Sequence, residues 1–244
     1  MRTLGIDLAA SAARTAACTI EWDGPGASAR ISDAPQDDQA LLRLMHGADR
    51  IGIDCPLGWP IGFVDAVVAH RDGRAWPGRD AADAEEYRRR LAYRRTDLVI
   101  EGRRPLSVST DRIGVVALRC ALLLDAYEPP RPGVPVDRSG AGTVAEVYPA
   151  AALRYWGWPT AGYKAAPSAL TSALRAAVPW LRMDDADWDR CARSDHALDA
   201  LVCALVTRAV VLGLSSAPKD ADRELAAVEG WIHVPTCPLD VLAV

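Results

Sequence analysis

Four acidic residues stand where a folded chain rarely tolerates acids. Asp7 lies inside the apolar run Leu4-Gly5-Ile6-Asp7-Leu8-Ala9, and Asp54 ends a second run, Ile51-Gly52-Ile53-Asp54. Glu146 sits in Val144-Ala145-Glu146-Val147-Tyr148, and Asp199 lies in the apolar stretch from Leu198 to Leu214. Burying a carboxylate is costly unless it is paired, protonated or bound to a metal. Several in succession imply a site that gathers negative charge, and hard divalent cations, Mg2+ or Mn2+, are the usual reason for one. Asp7 and Asp199 are the expected metal ligands, and Asp54 reads equally as a further ligand or as a turn residue. The plainer readings are turn formation for Asp54, before a Pro/Gly loop, and a turn cap near Ala10-Ser11 for Asp7. Asp195 precedes Asp199 by four and shares its helix face; it is either a further ligand or the acid that favours the helix N-terminus. Glu146 either ligates metal or pairs with an arginine. His196 lies about 100° round the helix from Asp195 and reads as structural.

Arginine forms the second constellation: Arg88, Arg89, Arg90, Arg94, Arg95, Arg103 and Arg104 fall close together. Most read as a solvated face balanced by Asp80, Asp83, Glu85 and Glu86 just upstream. Arg94 and Asp97 stand apart in an Arg94-x-Thr96-Asp97 segment. In Leu106–Asp111, Thr110 or Asp111 is the expected cap of the next helix. Trp156, Trp158 and Trp180 read as packing rather than base-stacking platforms. No phosphate-cradling glycine loop and no G-x-S-x-G elbow is present.

These residues need a scaffold, and the chain is large enough to build one. It has 244 residues, half of them hydrophobic, and a net charge of −4. That balance argues against a protein that coats nucleic acid through general basicity. Lys164 and Lys219 are the only lysines, and the arginine excess beside abundant alanine carries little weight. The six cysteines are dispersed without a C-x-x-C pair, so zinc and redox motifs are unsupported. No signal peptide is expected before the first strand. The Leu198–Leu214 stretch contains Asp199 and Arg208 and reads as a buried helix rather than a membrane span. The expectation is a cytoplasmic, reduced setting.

Periodicity predicts three meandering strands over Thr3–Ala9, Thr15–Trp22 and Ala27–Ser32, with a turn at Asp23-Gly24-Pro25-Gly26. A helix over Asp37–His46 and a buried strand over Arg50–Asp54 follow. Residues 55–142 change character: helices are expected around Ile61–His70, Ala82–Arg95 and Arg112–Ala126, with a polar loop at 71–79 and a Pro-rich connector over Glu128–Pro135. This reads as a mostly helical insertion after the fourth strand, within a single domain spanning 1–244. A strand over Val144–Tyr148, helices over Ala150–Trp156, Pro167–Val178 and Asp195–Leu212, and a late edge strand at Trp231–Val234 complete the expectation. Three meandering strands, a helix and a strand describe an α/β fold with an RNase H-like mixed sheet flanked by helices. Its first and fourth strands lie side by side, which would bring Asp7 to Asp54.

Six segments carry a resemblance. Gly5-Ile6-Asp7-Leu8-Ala9, Ile53-Asp54-Cys55-Pro56-Leu57-Gly58, Arg94-x-Thr96-Asp97, Glu146-Val147-Tyr148-Pro149, Asp195-His196-Ala197-Leu198-Asp199-Ala200-Leu201 and Glu229-Gly230-Trp231-Ile232 resemble landmarks of the domain-of-unknown-function 429 family. Its members are described as predicted nucleases of RNase H-like fold. The resemblance spans nearly the whole chain and implies a metal-dependent phosphodiester hydrolase in which Asp7, on the first strand, bridges Mg2+ ions and Asp54 is a further ligand. It also implies that Arg94 meets a substrate phosphate, with Asp97 pairing with it or approaching the metals. Related resolvases carry a comparable acid pair on their last helix, spaced by three rather than the four of Asp195 and Asp199. Nucleic acid or another phosphoester is the expected partner. A non-catalytic nucleotide- or nucleic-acid-binding module is the alternative. An actin-like ATP-dependent phosphotransferase is less favoured, because its phosphate loops are missing.

Overall fold

The computed structural model describes residues 1–24, 26–32, 35–78, 80–102, 104–128 and 137–243. Pro25 of the expected turn, residue 79 of the polar loop, Arg103 and most of the Pro-rich connector lie outside them. The described residues form an α/β structure around a seven-stranded mixed sheet of order β6-β3-β2-β1-β4-β5-β7. The strands are β1 (Arg2–Asp7), β2 (Ala16–Trp22), β3 (Ala27–Ile31), β4 (Arg50–Asp54), β5 (Val144–Val147), β6 (Leu181–Arg182) and β7 (Ile232–His233). β1, β2 and β3 are antiparallel neighbours, whereas β4 runs parallel to β1 and β5 parallel to β4.

The helices are α1 (Asp38–His46), α2 (Ile61–Arg71), α3 (Ala84–Ala92), α4 (Arg95–Val99), α5 (Ile113–Tyr127), α6 (Pro149–Tyr155), α7 (Ser168–Ala177), α8 (Asp185–Arg193), α9 (Asp195–Val211) and α10 (Arg223–Glu229). Local chemistry sets several starts. Asp37 accepts from the Ala40 amide at 2.7 Å, Asp83 accepts from the Glu85 and Glu86 amides, and Pro149 opens α6. The single helix expected over Ala82–Arg95 is in fact two, because Tyr93 and Arg94 are extended and Arg94 turns inward. Thr110 and Asp111 do not cap α5; Asp111 instead accepts the Ser107 amide, and Ser107 Oγ accepts from the Ser109 and Thr110 amides. α2 to α5 all fall between the adjacent parallel strands β4 and β5.

Side chains alternate across a strand, and that alternation decides where the acids point. Leu4, Ile6, Ile51 and Ile53 pack with Leu41 and Met45 of α1 and with Ala117, Cys120 and Leu123 of α5. The intervening residues of β1 and β4 therefore face the opposite layer, where α9 lies. In register, Gly5 pairs with Gly52 and Asp7 with Asp54. The two glycines let α9 settle directly on the sheet: a Cβ at Gly5 would stand 2.2 Å from the Ala204 amide nitrogen and 2.3 Å from the Ala200 carbonyl. One at Gly52 would stand 2.1 Å from Thr207 Oγ1. Ala200, Cys203, Ala204 and Thr207 supply the small surface that matches this gap. Gly5→Ala is expected to lose about 3 kcal/mol in urea unfolding, since the obstacle is helix backbone rather than a movable side chain. A loss below ~0.5 kcal/mol would show that the contact is not tight.

Candidate metal centre

Asp7 and Asp54 end adjacent parallel strands, so the pairing that aligns the two Gly-Ile-Asp segments sets their carboxylates next to each other. α9 begins above this sheet end. Ser194 accepts from the Ala197 amide at its start, and the close contact at Gly5 seats Ala200 on β1. Asp199, the preceding residue, is thereby held over the two strand ends with no solvent exposure. One oxygen from each of Asp7, Asp54 and Asp199 lies within 4.8 Å of the others. Among the described residues this is the group whose spacing suits a cation.

Three further side chains meet the acids. His196 Nδ1 lies 2.6 Å from Asp7 Oδ2. Its ring falls on the Asp199 side of α9, three residues away, so the helical spacing that separates it from Asp195 carries it into the centre. His196, read from the sequence as structural, thus meets the acidic centre through Asp7. Tyr163 donates its hydroxyl to Asp199, 2.8 and 3.1 Å from the two oxygens. Lys164 Nζ stands 2.9 Å from Asp199 Oδ2. Asp54 differs from its neighbours because its carboxylate has no hydrogen-bond donor among the described residues. Asp195 is partly exposed at the first position of α9 and is outside the converging group.

The charge states follow from this geometry. Burial, then the proximity of Asp7 and Asp199, pushes the Asp54 carboxyl well above the usual range. Asp199 is pushed up to about 6 by burial, against the opposing pull of Lys164. Burial disfavours the Lys164 ammonium, but Asp199 and Asp54 more than offset it and hold it charged. The hydrogen bond to Asp7 raises His196.

A raised carboxyl pKa makes the folded chain bind more protons than the unfolded one between the two values. In chelator, the stability difference between wild type and Asp199→Asn is therefore expected to move against wild type as pH rises from about 4 to about 6. Thermal melts across that window read the effect, and a pH-independent difference would contradict it.

The donor set fits a hard cation. Three carboxylates converge within reach of one ion, and that of Asp54 has no hydrogen-bond donor among the described residues.

A model of the family described as "Protein of unknown function (DUF429)" matches residues 5–223, most of the chain. The chain belongs to this family. Neither a curated protein nor a solved structure matches it.

The segments that carry the DUF429 resemblance assemble into two neighbouring structures. The Gly-Ile-Asp strands and the Asp195–Leu201 segment build the acidic centre. The Arg94-x-Thr96-Asp97, Glu146–Pro149 and Glu229–Ile232 segments build a buried lock beside it. Arg94, 1% exposed, uses all five of its N–H donors inside the protein. Nε and Nη2 reach Asp97, Nη1 and Nη2 reach Glu146 at 2.7 Å each, and Nη1 also reaches the Glu229 carbonyl. No donor is left for a phosphate, so the expected substrate contact of Arg94 is corrected to a structural one. Asp97 is likewise taken up by Arg94.

Glu146 pairs with Arg94 and accepts the Leu57 amide at 3.1 Å, which pins the loop that follows Asp54. It is outside the converging group. Burial raises its pKa and Arg94 opposes that rise. The Glu229 carboxylate accepts the Ile61 and Arg95 amides, tying the first residues of α2 and α4 together. Gly230 has φ +89°, and a Cβ there would stand 3.0 Å from Glu146 Oε2.

Among the other arginines, Arg89 and Arg90 are balanced by an upstream acid as the plainer reading held, whereas Arg95 and Arg104 find other partners. Arg89 and Arg90 bond to Glu86, Arg95 bonds to Asp222, and Arg104 stacks over Tyr93. Trp180 packs against Trp22 and Trp156 against Trp158. All six cysteines are free and buried. Among the described residues no helix is long and apolar enough to cross a membrane.

Proposed function

We propose that this chain is a divalent-metal-dependent phosphodiester hydrolase, a nuclease in the broad sense, built on a single RNase H-like domain into which residues 55–142 are inserted. The observation that carries the reading is the convergence of Asp7, Asp54 and Asp199 within 4.8 Å at the carboxyl ends of two adjacent parallel strands. Open α/β sheets place their chemistry at that end. The antiparallel β1-β2-β3 meander with β4 parallel to β1 agrees with the strand arrangement expected of an RNase H-like core.

In this reading Asp7, Asp54 and Asp199 hold Mg2+ or Mn2+, and a bound ion supplies positive charge against the phosphoryl oxygens. Tyr163 orients Asp199. His196 orients Asp7 and offers its outward ring nitrogen as a proton carrier at the partly exposed edge of the centre. The substrate is a nucleic acid or a smaller phosphoester, and Arg94 takes no part in holding it.

The test is cleavage of single- and double-stranded DNA, RNA and bis-(p-nitrophenyl) phosphate with Mn2+ or with chelator. Wild type is expected to cleave at least one of them only with the metal, and Asp7→Asn, still folded by circular dichroism, to lose at least a hundredfold in rate. Equal cleavage by folded Asp7→Asn would remove the mechanism. The Lys164–Asp199 ion pair favours a second reading, a binding module that balances its acids without an ion. Mn2+ titration separates the two.

A further inference from the structure

Lys164 is one of two lysines in the chain, and it sits on the most buried acid of the centre. It lies with Tyr163 in the segment between α6 and α7. Its side chain is 55% exposed while the carboxylate it touches is wholly buried. The ammonium thus reaches in from the rim on a stem that stays in solvent. Withdrawing it breaks no packing of the core. Tyr163 behaves differently: it is buried, and its neutral hydroxyl holds both oxygens of Asp199 whether or not a cation is near.

A divalent ion shared by Asp7, Asp54 and Asp199 needs an Asp199 oxygen, and Lys164 Nζ stands 2.9 Å from one of them. Two cations at that separation repel, and the tethered one has an open path outward. We propose that Lys164 is the resident counter-cation of the three aspartates, and that a divalent ion binds by displacing its ammonium from Asp199 to the rim. The proposal rests on the metal reading above and adds a sequence of events to it. Without an ion, Lys164 keeps the acids from repelling one another. With one, the freed ammonium stands at the entrance as a positive charge for an incoming phosphate. A protein so built tolerates scarcity of metal without unfolding, at the cost of weaker metal affinity.

The experiment compares wild type with Lys164→Met and Lys164→Gln, by Mn2+ titration calorimetry and by thermal melting in chelator. Each variant is expected to bind Mn2+ about tenfold tighter than wild type, because no ammonium competes, while melting lower in chelator. Wild-type binding with unchanged or weaker binding in both variants would overturn the displacement. No Mn2+ binding by any of the three proteins would overturn the metal reading itself, a different result.

A measurement on wild type alone guards against poorly folding variants. After reductive 13C-methylation, the two lysine signals stand beside that of the N-terminus. Saturating Mg2+ is expected to shift the Lys164 signal and leave that of Lys219. A Lys164 signal that stays in place while Mg2+ binds would also overturn the proposal.

Discussion

Asp54→Asn is expected to raise the melting temperature of the protein in chelator and, in the same step, to abolish tight Mn2+ binding. Asp54 is the member of the centre with no hydrogen-bond donor among the described residues, and burial together with Asp7 and Asp199 opposes its ionisation. An asparagine of the same shape removes that repulsion and keeps the packing, for a gain of about 1 kcal/mol. It also removes one of the three anionic oxygens a hard cation requires. Stability and binding therefore move in opposite directions, the mark of a functional site held together against its own charge. With saturating Mn2+ the order reverses, since only wild type gains binding energy in the folded state. Scanning calorimetry in chelator and in Mn2+ reads both halves. An Asp54→Asn protein less stable than wild type in chelator would mean that the carboxylate is structural.

The Arg94 lock predicts the opposite behaviour. Arg94→Met is expected to destabilise the chain by about 3–5 kcal/mol, because Asp97 and Glu146 are left buried without their counter-charge. For a chain of this size that corresponds to a fall on the order of 10 °C in melting temperature. Arg94→Lys should recover only part of the loss, since an ammonium cannot reproduce a five-donor fork that grips two carboxylates at once. Circular dichroism melts of the two variants decide the matter. A loss within about 0.5 kcal/mol for Arg94→Met would contradict the description of the lock. Mn2+ affinity should weaken rather than vanish, because Glu146 is no member of the converging group and supports Asp54 from beside it, through its pairing with Ile53 and the loop it pins at Leu57.

What could be read from the residues followed from regular periodicity and from misplaced charge. The alternation of Leu4, Ile6, Ile51 and Ile53 with Gly5, Asp7, Gly52 and Asp54 identifies two buried strands, and Asp199 stands out in an otherwise apolar helix. Those signals led to the three acids that converge. Other parts left weaker marks. β6 is two residues long, too short to show a period, and α8 is strongly polar apart from a narrow buried stripe of Asp187, Trp188 and Cys191. Arg94 is set apart from its charged run only by the Arg94-x-Thr96-Asp97 motif, and its partners Glu146 and Glu229, 52 and 135 residues away, leave no local sign that it is buried. His196 was legible in principle: residues 196, 199, 200 and 203 share one helix face, which a comparison with Asp195 alone hides. Lys164 is an isolated charge in a turn, and only the rarity of lysine in this chain marks it. Nothing in its own neighbourhood points to Asp199.

The shared cation is tested most directly by a crystal grown with Mn2+ and measured at the manganese absorption edge. The account predicts an anomalous peak with oxygens of Asp7, Asp54 and Asp199 each about 2.2 Å away and with Lys164 withdrawn from Asp199. Ordered density for all three aspartates at saturating Mn2+, with no peak between them, would contradict it.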